Sequence, residues 1–319
     1  MQATAIAQPN IALIKYWGKR DIDRNLPAVG SISITLSELH TEVSVDLDAG
    51  QSADVLFVND DENPAMLPRI SACLDRVLGI NRPHARVHSR CNFPIAAGLA
   101  SSASAFAATT VAAAGAANLS LGTEELAQLA GASSGSAARS LYGGFVELRN
   151  AGDNIALTSL GDEGYWPLQV VVAITATGPK ATGSTEAMEI SRLSSPFYDT
   201  WVAQQEHDLA VARKAIARQN FAELAAIAEH NCLKMHSVMW ASRPATVFWN
   251  AATMQCLQTL RRLQGEGCRV FFTIDAGPQV KAVCLPDDAD AVRHALTETA
   301  GVQDVMTTGL GPAARLVNK

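Results

Sequence analysis

Asp275 closes the apolar run Val270–Ile274 and stands just before Ala276-Gly277-Pro278. A carboxylate at the end of a buried strand has to be hydrogen-bonded or ion-paired, which makes it the best general-base candidate in the chain. Asp is also a common turn residue, so a cap on the Gly-Pro turn is the competing reading. A second group lies in Gly131–Ser140, G-A-S-S-G-S-A-A-R-S, where Ser134, Ser136 and Arg139 set two hydroxyls beside a guanidinium. Arg suits a bidentate grip on phosphate or carboxylate, and an exposed Arg on a surface helix is the plain alternative. Ile14–Asp21, I-K-Y-W-G-K-R-D, crowds Lys15, Tyr16, Lys19 and Arg20 around Gly18 in an otherwise charge-poor chain. Pro94–Ala105, P-I-A-A-G-L-A-S-S-A-S-A, supplies a small-residue turn ahead of a helix. There Gly98 lets a ligand approach the backbone. Ser101 and Ser102 offer hydroxyls for capping, for phosphate or for a phosphate-bound Mg²⁺. No Gly-Lys-Ser/Thr follows, so this is not a Walker A loop.

The elements that must position these residues are legible from periodicity. His84–Phe93 reads as a strand leading into the small-residue turn, and an Ala-rich helix runs on to about Asn118 and Gly122. Ala3–Leu13 is expected as a first strand; Ser31–Leu36 and Thr41–Leu47 alternate as strands do, and Asp54–Asn59 is a further short β-like run. Arg69–Leu78 is amphipathic and helical. Thr123 is the expected N-cap of the next helix, and Tyr142–Leu148 a glycine-hinged strand. Leu168–Thr175 is continuously apolar, a buried strand. Lys180–Met188 is expected as a polar turn linking two lobes, and Thr200–Ala228 as helical with a break at Asn220. The Met and Trp spacing in Asn231–Trp240 points to core.

Composition narrows the class. A chain of 319 residues with net charge −6 and no Lys/Arg run is a poor partner for nucleic acid or an anionic membrane surface. Its six cysteines are scattered without a C-x-x-C pair, which argues against a zinc site and a disulfide scaffold and fits a reducing cytoplasm. His207, His230 and His236 come without H-E-x-x-H or paired carboxylates and read as ordinary placed residues. Met1–Pro9 does not read as a signal peptide, and Ala103–Ala117 is too short and interrupted to span a bilayer.

P-x-x-x-G-L-x-S-S-A at 94–103 is similar to the phosphate loop of the GHMP kinase superfamily. P-N-I-A-L-I-K-Y-W-G-K-R-D (9–21), N-L-P (25–27), S-I-S-I-T-L (31–36), S-G-S-A-A-R-S-L-Y-G-G-F-V-E (134–147), G-S-T (183–185) with Met188, and D-A-G-P (275–278) extend the match. In that order they resemble the diphosphomevalonate decarboxylase family. The resemblance implies an α/β (α+β) two-lobe GHMP kinase-like fold with the active site in the cleft between lobes 1–188 and 189–319. It implies ATP and Mg²⁺, mevalonate 5-diphosphate as substrate and isopentenyl diphosphate as product, with ADP, phosphate and CO₂ released by a cytoplasmic homodimer. It puts Asp275 beside the 3-hydroxyl as base or orienter and Arg139 on the leaving carboxylate. Asn10 and Lys15 complete the polar shell. Tyr16, Lys19, Ser134 and Ser136 fall on the diphosphate, and Gly98, Ser101 and Ser102 on the ATP phosphates, with Ser102 also toward the metal. Val29-Gly30 and Ala105 depart from the pattern. Glu186 stands where some bacterial members carry an Arg on the diphosphate, which keeps 5-phosphomevalonate open as substrate. A small-molecule kinase that stops at phosphorylation is a further alternative, against which Arg139 and Asp275 together argue. A non-catalytic sensor would be expected to lose the base or the phosphate loop, and both are present.

Overall fold

Thr41–Leu47 buries every second side chain and leaves the others half-exposed, the pattern of a strand with one face on a core. The computed structural model describes residues 1–47, 50–93, 101–178 and 182–318. Thr41–Leu47 lies inside a six-stranded sheet ordered Arg315–Asn318, Gln2–Ala7, Thr41–Leu47, Ala85–Cys91, Val55–Val58, Asp61–Glu62. Val55–Val58 runs parallel to Ala85–Cys91, and the other neighbours are antiparallel. Helices α1 (Leu67–Leu78), α2 (Ser101–Ala116) and α3 (Thr123–Ser133) share the hydrophobic core of this sheet. Pro68 sits in the first turn of α1, where a missing N–H is harmless. From Ala103 nearly every residue of α2 is buried, because it is enclosed by the sheet, α1 and α3 and has no face to give to water. The N-cap of α3 is Gly122 rather than Thr123; Glu125 Oε2 accepts from Gly122 N at 2.9 Å.

The expected strand Ala3–Leu13 is two strands in two sheets. Gln2–Ala7 belongs to the six-stranded sheet and Asn10–Ile14 to a second, antiparallel one ordered Asn154–Gly161, Phe145–Ala151, Ser31–Thr35, Asn10–Ile14. Pro9 between them has no N–H to continue a ladder. A third antiparallel sheet is ordered Val270–Thr273, Val280–Cys284, Gln169–Ile174, Asp304–Thr308. Among the described residues five α-helices follow the first three: α4 (Ser184–Ser194), α5 (Tyr198–Ala217), α6 (Phe221–Trp240), α7 (Ala251–Gly265) and α8 (Ala289–Thr297). Asn220 marks the break between α5 and α6, its side chain accepting from Glu223 N at 3.2 Å.

Three strands of the third sheet, Val270–Thr273, Val280–Cys284 and Gln169–Ile174, are buried on both faces, as their apolar runs require. Phe271, Val170 and Val172 pack with α5, α6 and the second sheet, while Phe272, Val171 and Ala282 pack with α7 and α8. The second and third sheets therefore share one core, and Thr273 Oγ1 donates to Ala12 O across it at 2.9 Å. A division at residue 188 leaves Gln169–Ile174 with the first segment although it pairs with strands of the second. Of the expected turn Lys180–Met188, Lys180 and Ala181 lie outside the described residues, and α4 begins at Ser184 behind an N-cap at Gly183.

Candidate active site

Val270–Thr273 delivers Asp275 to the wall of a cavity of about 610 Å³, which Asn10, Tyr16, Lys19 and Arg139 line from the first half of the chain. Asp275 is 24% exposed, and its Oδ1 accepts from Lys15 Nζ at 2.7 Å. Lys15 lies behind the cavity wall with its side chain only 1% exposed, and its ammonium also donates to Ala12 O at 2.8 Å. Lys281, fully buried in the strand Val280–Cys284, brings its Nζ to 3.7 Å from Asp275 Oδ2. Burial pushes the Asp275 carboxyl up, but Lys15 and Lys281, with Arg139 beyond them, more than offset it and hold it down at about 2. Buried carboxylates are ordinarily paired in this way. The turn after the strand is closed by the backbone, Gly277 N donating to Asp275 O at 2.8 Å. The carboxylate serves Lys15 and not the turn, so the capping reading has no hydrogen bond to support it among the described residues.

Arg139 sits in a 3-10 turn, Ala137–Leu141, and is 2% exposed. Its Nη1 donates to Ser31 Oγ at 2.7 Å and its Nε to Asn10 Oδ1 at 3.3 Å. Asn10 is held in turn, its Nδ2 donating to Ser140 Oγ at 2.8 Å and to Ser136 O at 2.9 Å. Among the described residues no carboxylate lies within ion-pair distance of Arg139. Burial lowers its pKa to about 10, with Asp275 and Tyr16 pulling the other way, so it keeps its charge at neutral pH. A buried guanidinium with donors to spare is a site for an anion.

Tyr16 lies under Arg139, whose Cζ is 5.9 Å from the ring centroid. Its hydroxyl is buried with no hydrogen-bond partner among the described residues. Burial, with Tyr198 adding to it and Arg139 opposing, pushes its pKa up to about 12 and keeps the phenol a donor. Gly135 lets the Ser134-Gly135-Ser136 turn lie on that phenol: a Cβ there would stand 2.4 Å from Tyr16 OH. Ser134 and Ser136 both line the cavity, their hydroxyls 3.5 Å apart. Lys19 Nζ donates to Thr185 Oγ1, in the first turn of α4, at 3.2 Å. Burial and then Arg69 lower its pKa.

Most of the residues singled out from sequence come together here. Asn10, Tyr16, Lys19, Ser102, Ser134, Ser136, Arg139 and Asp275 all line one cavity. Lys15 stands directly behind Asp275. Ser101 opens α2 beside Ser102 without lining the cavity, and Gly98 lies outside the described residues. Sequence reasoning missed three cations. Arg69 and Arg76, two turns apart on α1, reach the cavity and have no carboxylate partner among the described residues. Lys281 stands behind Asp275 with Lys15. Among the described residues no group of three or more His, Cys, Asp or Glu could hold a metal. His236 is buried and held neutral, its pKa lowered to about 3 by burial.

A six-stranded sheet with its helix bundle, joined to a second α/β unit over a cavity rich in cations and faced by a helix N-terminus, is the GHMP kinase-like α/β (α+β) class. Comparison with known proteins narrows it further. Residues 7–160 match the diphosphomevalonate decarboxylase-like N-terminal domain and residues 170–313 the mevalonate 5-diphosphate decarboxylase C-terminal domain. The human diphosphomevalonate decarboxylase is 32% identical over 89% of this chain and 77% of its own length. Mevalonate diphosphate decarboxylase of Enterococcus faecalis superposes with a TM-score of 0.92 at 31% identity, covering 100% of this chain and 99% of that one. The Staphylococcus aureus enzyme gives 0.93 at 30% identity over 99% and 98%. A further structure, at a TM-score of 0.92, 30% identity and coverage of 100% and 99%, is a complex with MVAPP, AMPPCP and magnesium. The chain belongs to the diphosphomevalonate decarboxylase family and is an ATP-dependent decarboxylase.

Proposed function

We propose that this cavity binds mevalonate 5-diphosphate, transfers the γ-phosphoryl group of ATP to its 3-hydroxyl, and releases isopentenyl diphosphate, ADP, phosphate and CO₂. The observation that carries the reading is the pairing of opposite charges on one cavity. Asp275 is a carboxylate kept ionised by Lys15, and Arg139 is a buried guanidinium with no carboxylate of its own among the described residues. Arg139 and Asp275 together argue against a kinase that stops at phosphorylation.

The residues divide the work. Asp275 accepts the 3-hydroxyl and orients it. With its carboxyl at about 2 it is a weak base, which suits a loose transition state in which the proton leaves late. Arg139, steadied by Asn10 and Ser31, grips the substrate carboxylate. Phosphate then leaves C3 with its electron pair, the C1–C2 bond supplies the new double bond, and CO₂ departs from Arg139. Tyr16, Lys19, Ser134, Ser136 and Arg69 hold the diphosphate. Ser101 and Ser102 at the start of α2, with Gly98, take the ATP phosphates, where the positive end of the helix dipole favours anions. The lone Ser102 hydroxyl suits Mg²⁺ that is carried mainly by phosphate oxygens; bound there, the ion would screen the phosphate charges.

Glu186 is exposed and does not line the cavity. Lys19, Arg69 and Arg76 supply more positive charge than a monophosphate needs, which favours the diphosphate. Cytoplasmic location and a homodimer belong to the same reading, the first supported by six cysteines that are all free thiols. Incubating the protein with ATP, Mg²⁺ and either mevalonate 5-diphosphate or 5-phosphate, while following ADP and CO₂, tests the proposal. Equal ADP and CO₂ with the diphosphate is the expected result. ADP without CO₂ would make the protein a kinase, and neither product would remove the activity.

A further inference from the structure

Helix α6 grips both halves of the Lys15–Asp275 pair. Asn231 is fully buried, and its Oδ1 accepts the Lys15 N–H at 2.7 Å. Its Nδ2 donates to Asp208 Oδ2 at 2.6 Å and to Gln205 Oε1 at 2.9 Å, both on α5. Gln205 then donates to Lys15 O at 2.7 Å and to Gly30 O at 3.0 Å. The strand Asn10–Ile14 ends one residue earlier, so the Lys15 peptide takes its N–H and C=O partners from helix side chains. One residue along α6, Cys232 Sγ accepts from Ile274 N at 3.2 Å, and one turn further His236 Nε2 lies 3.1 Å from Ile274 O. Ile274 is the residue before Asp275.

The Asn231 amide has only one workable orientation. Asp208 is ion-paired to Lys234 at 2.5 Å and the Lys15 N–H can only donate, so Nδ2 faces the α5 acceptors and Oδ1 faces Lys15. Neither Asn231 nor Gln205 lines the cavity. We infer that Asn231, backed by Gln205 and Asp208, is a positioning residue for the reaction. It sets the Lys15 backbone so that the ammonium meets Asp275 Oδ1 and keeps the carboxylate ionised and aimed. This rests on the role proposed above for Asp275. Groups that orient a reacting side chain in this way act through geometry, and a displacement of about 1 Å costs about 10²-fold in rate.

Asn231→Asp keeps an acceptor for Lys15 N–H but sets a carboxylate against Asp208. The expected result is a kcat lower by about 10²-fold, with KM for ATP and for mevalonate 5-diphosphate nearly unchanged. The acid limb of the kcat profile moves to higher pH. Asp275 is faced by Lys15, Lys281 and Arg139, and by neutral Cys232 and His236 from α6; Asn231→Asp both displaces Lys15 and adds a charge near it, whereas Gln205→Met displaces it without adding charge. The swapped pair Asn231→Asp with Asp208→Asn restores the donor–acceptor contact between the two positions, though not the one to Gln205 Oε1, and recovers part of kcat. Should Asn231→Asp fail to fold, Gln205→Met removes the other clamp on the Lys15 peptide and is expected to show the same loss of kcat and shifted limb. Folded variants with wild-type kcat and an unmoved acid limb would overturn the inference and leave the clamp to stability alone. Asp275→Asn in the same assay separates the two proposals. If it is inactive while Asn231→Asp is normal, only the positioning role falls; if it is fully active, the reading of Asp275 falls.

Discussion

Lys15 and Asp275 stand 260 residues apart in the chain and meet at 2.7 Å, Nζ to Oδ1. The ammonium comes from the end of a strand in the second sheet and the carboxylate from the end of a strand in the third, so the contact joins the two units at the cavity wall. Removing the ammonium leaves burial to raise the Asp275 carboxyl against Lys281 and Arg139 alone. Lys15→Met is therefore expected to lower kcat and to make activity fall sooner as the pH is lowered from neutral. The sign follows from the depressed carboxyl: with Lys15 present, Asp275 is ionised well into the acid range. A pH–rate profile that does not move contradicts the pairing as a source of ionisation.

Arg139→Lys keeps the charge and loses the fork that two-point binding of a carboxylate needs. We expect a loss of about 10²-fold in CO₂ release, with an unchanged circular dichroism spectrum. Near-normal turnover would take Arg139 out of the site.

Arg69 lines the cavity with Lys19 and Arg76, and on the proposed reading it meets the diphosphate. Arg69→Gln is expected to raise KM for mevalonate 5-diphosphate by about tenfold, the order of one charge-assisted hydrogen bond, and to narrow the preference for diphosphate over monophosphate. Steady-state kinetics with both substrates would show it; an unaltered ratio would place Arg69 away from the second phosphate.

Ser102→Ala tests the start of α2. KM for ATP should rise while the mevalonate portion binds as before. Unchanged ATP dependence would return Ser102 to helix packing.

Local pattern carried the fold far. The alternation of Thr41–Leu47, the buried runs of the third sheet and the break at Asn220 follow from side-chain periodicity and one capping amide. Pro9 was the signal for two strands where the apolar run alone suggests one. At the site, residues whose chemistry is odd for their surroundings were legible: a carboxylate after an apolar strand, and an Arg among small residues. Those whose chemistry looks ordinary were not. Arg69 and Arg76 lie on the polar face of an amphipathic helix, where charges normally meet water. Asn231 sits amid Met and Trp in a stretch that reads as core, and its partner Lys15 is 216 residues away. Lys281 did leave a trace, a lone lysine inside the apolar strand V-K-A-V-C, and burial of that kind demands a counter-charge.

The most direct test is Asp275→Asn, assayed for ADP and CO₂ together with ATP, Mg²⁺ and mevalonate 5-diphosphate. Asn keeps the size and one acceptor oxygen but can neither carry the charge that Lys15 and Lys281 face nor take the proton of the 3-hydroxyl. The account predicts a folded protein that binds both substrates and loses ADP and CO₂ formation in parallel, by about 10²–10⁴-fold. ADP formed at the normal rate without CO₂ would move Asp275 to the second step, and full formation of both products would contradict its role altogether.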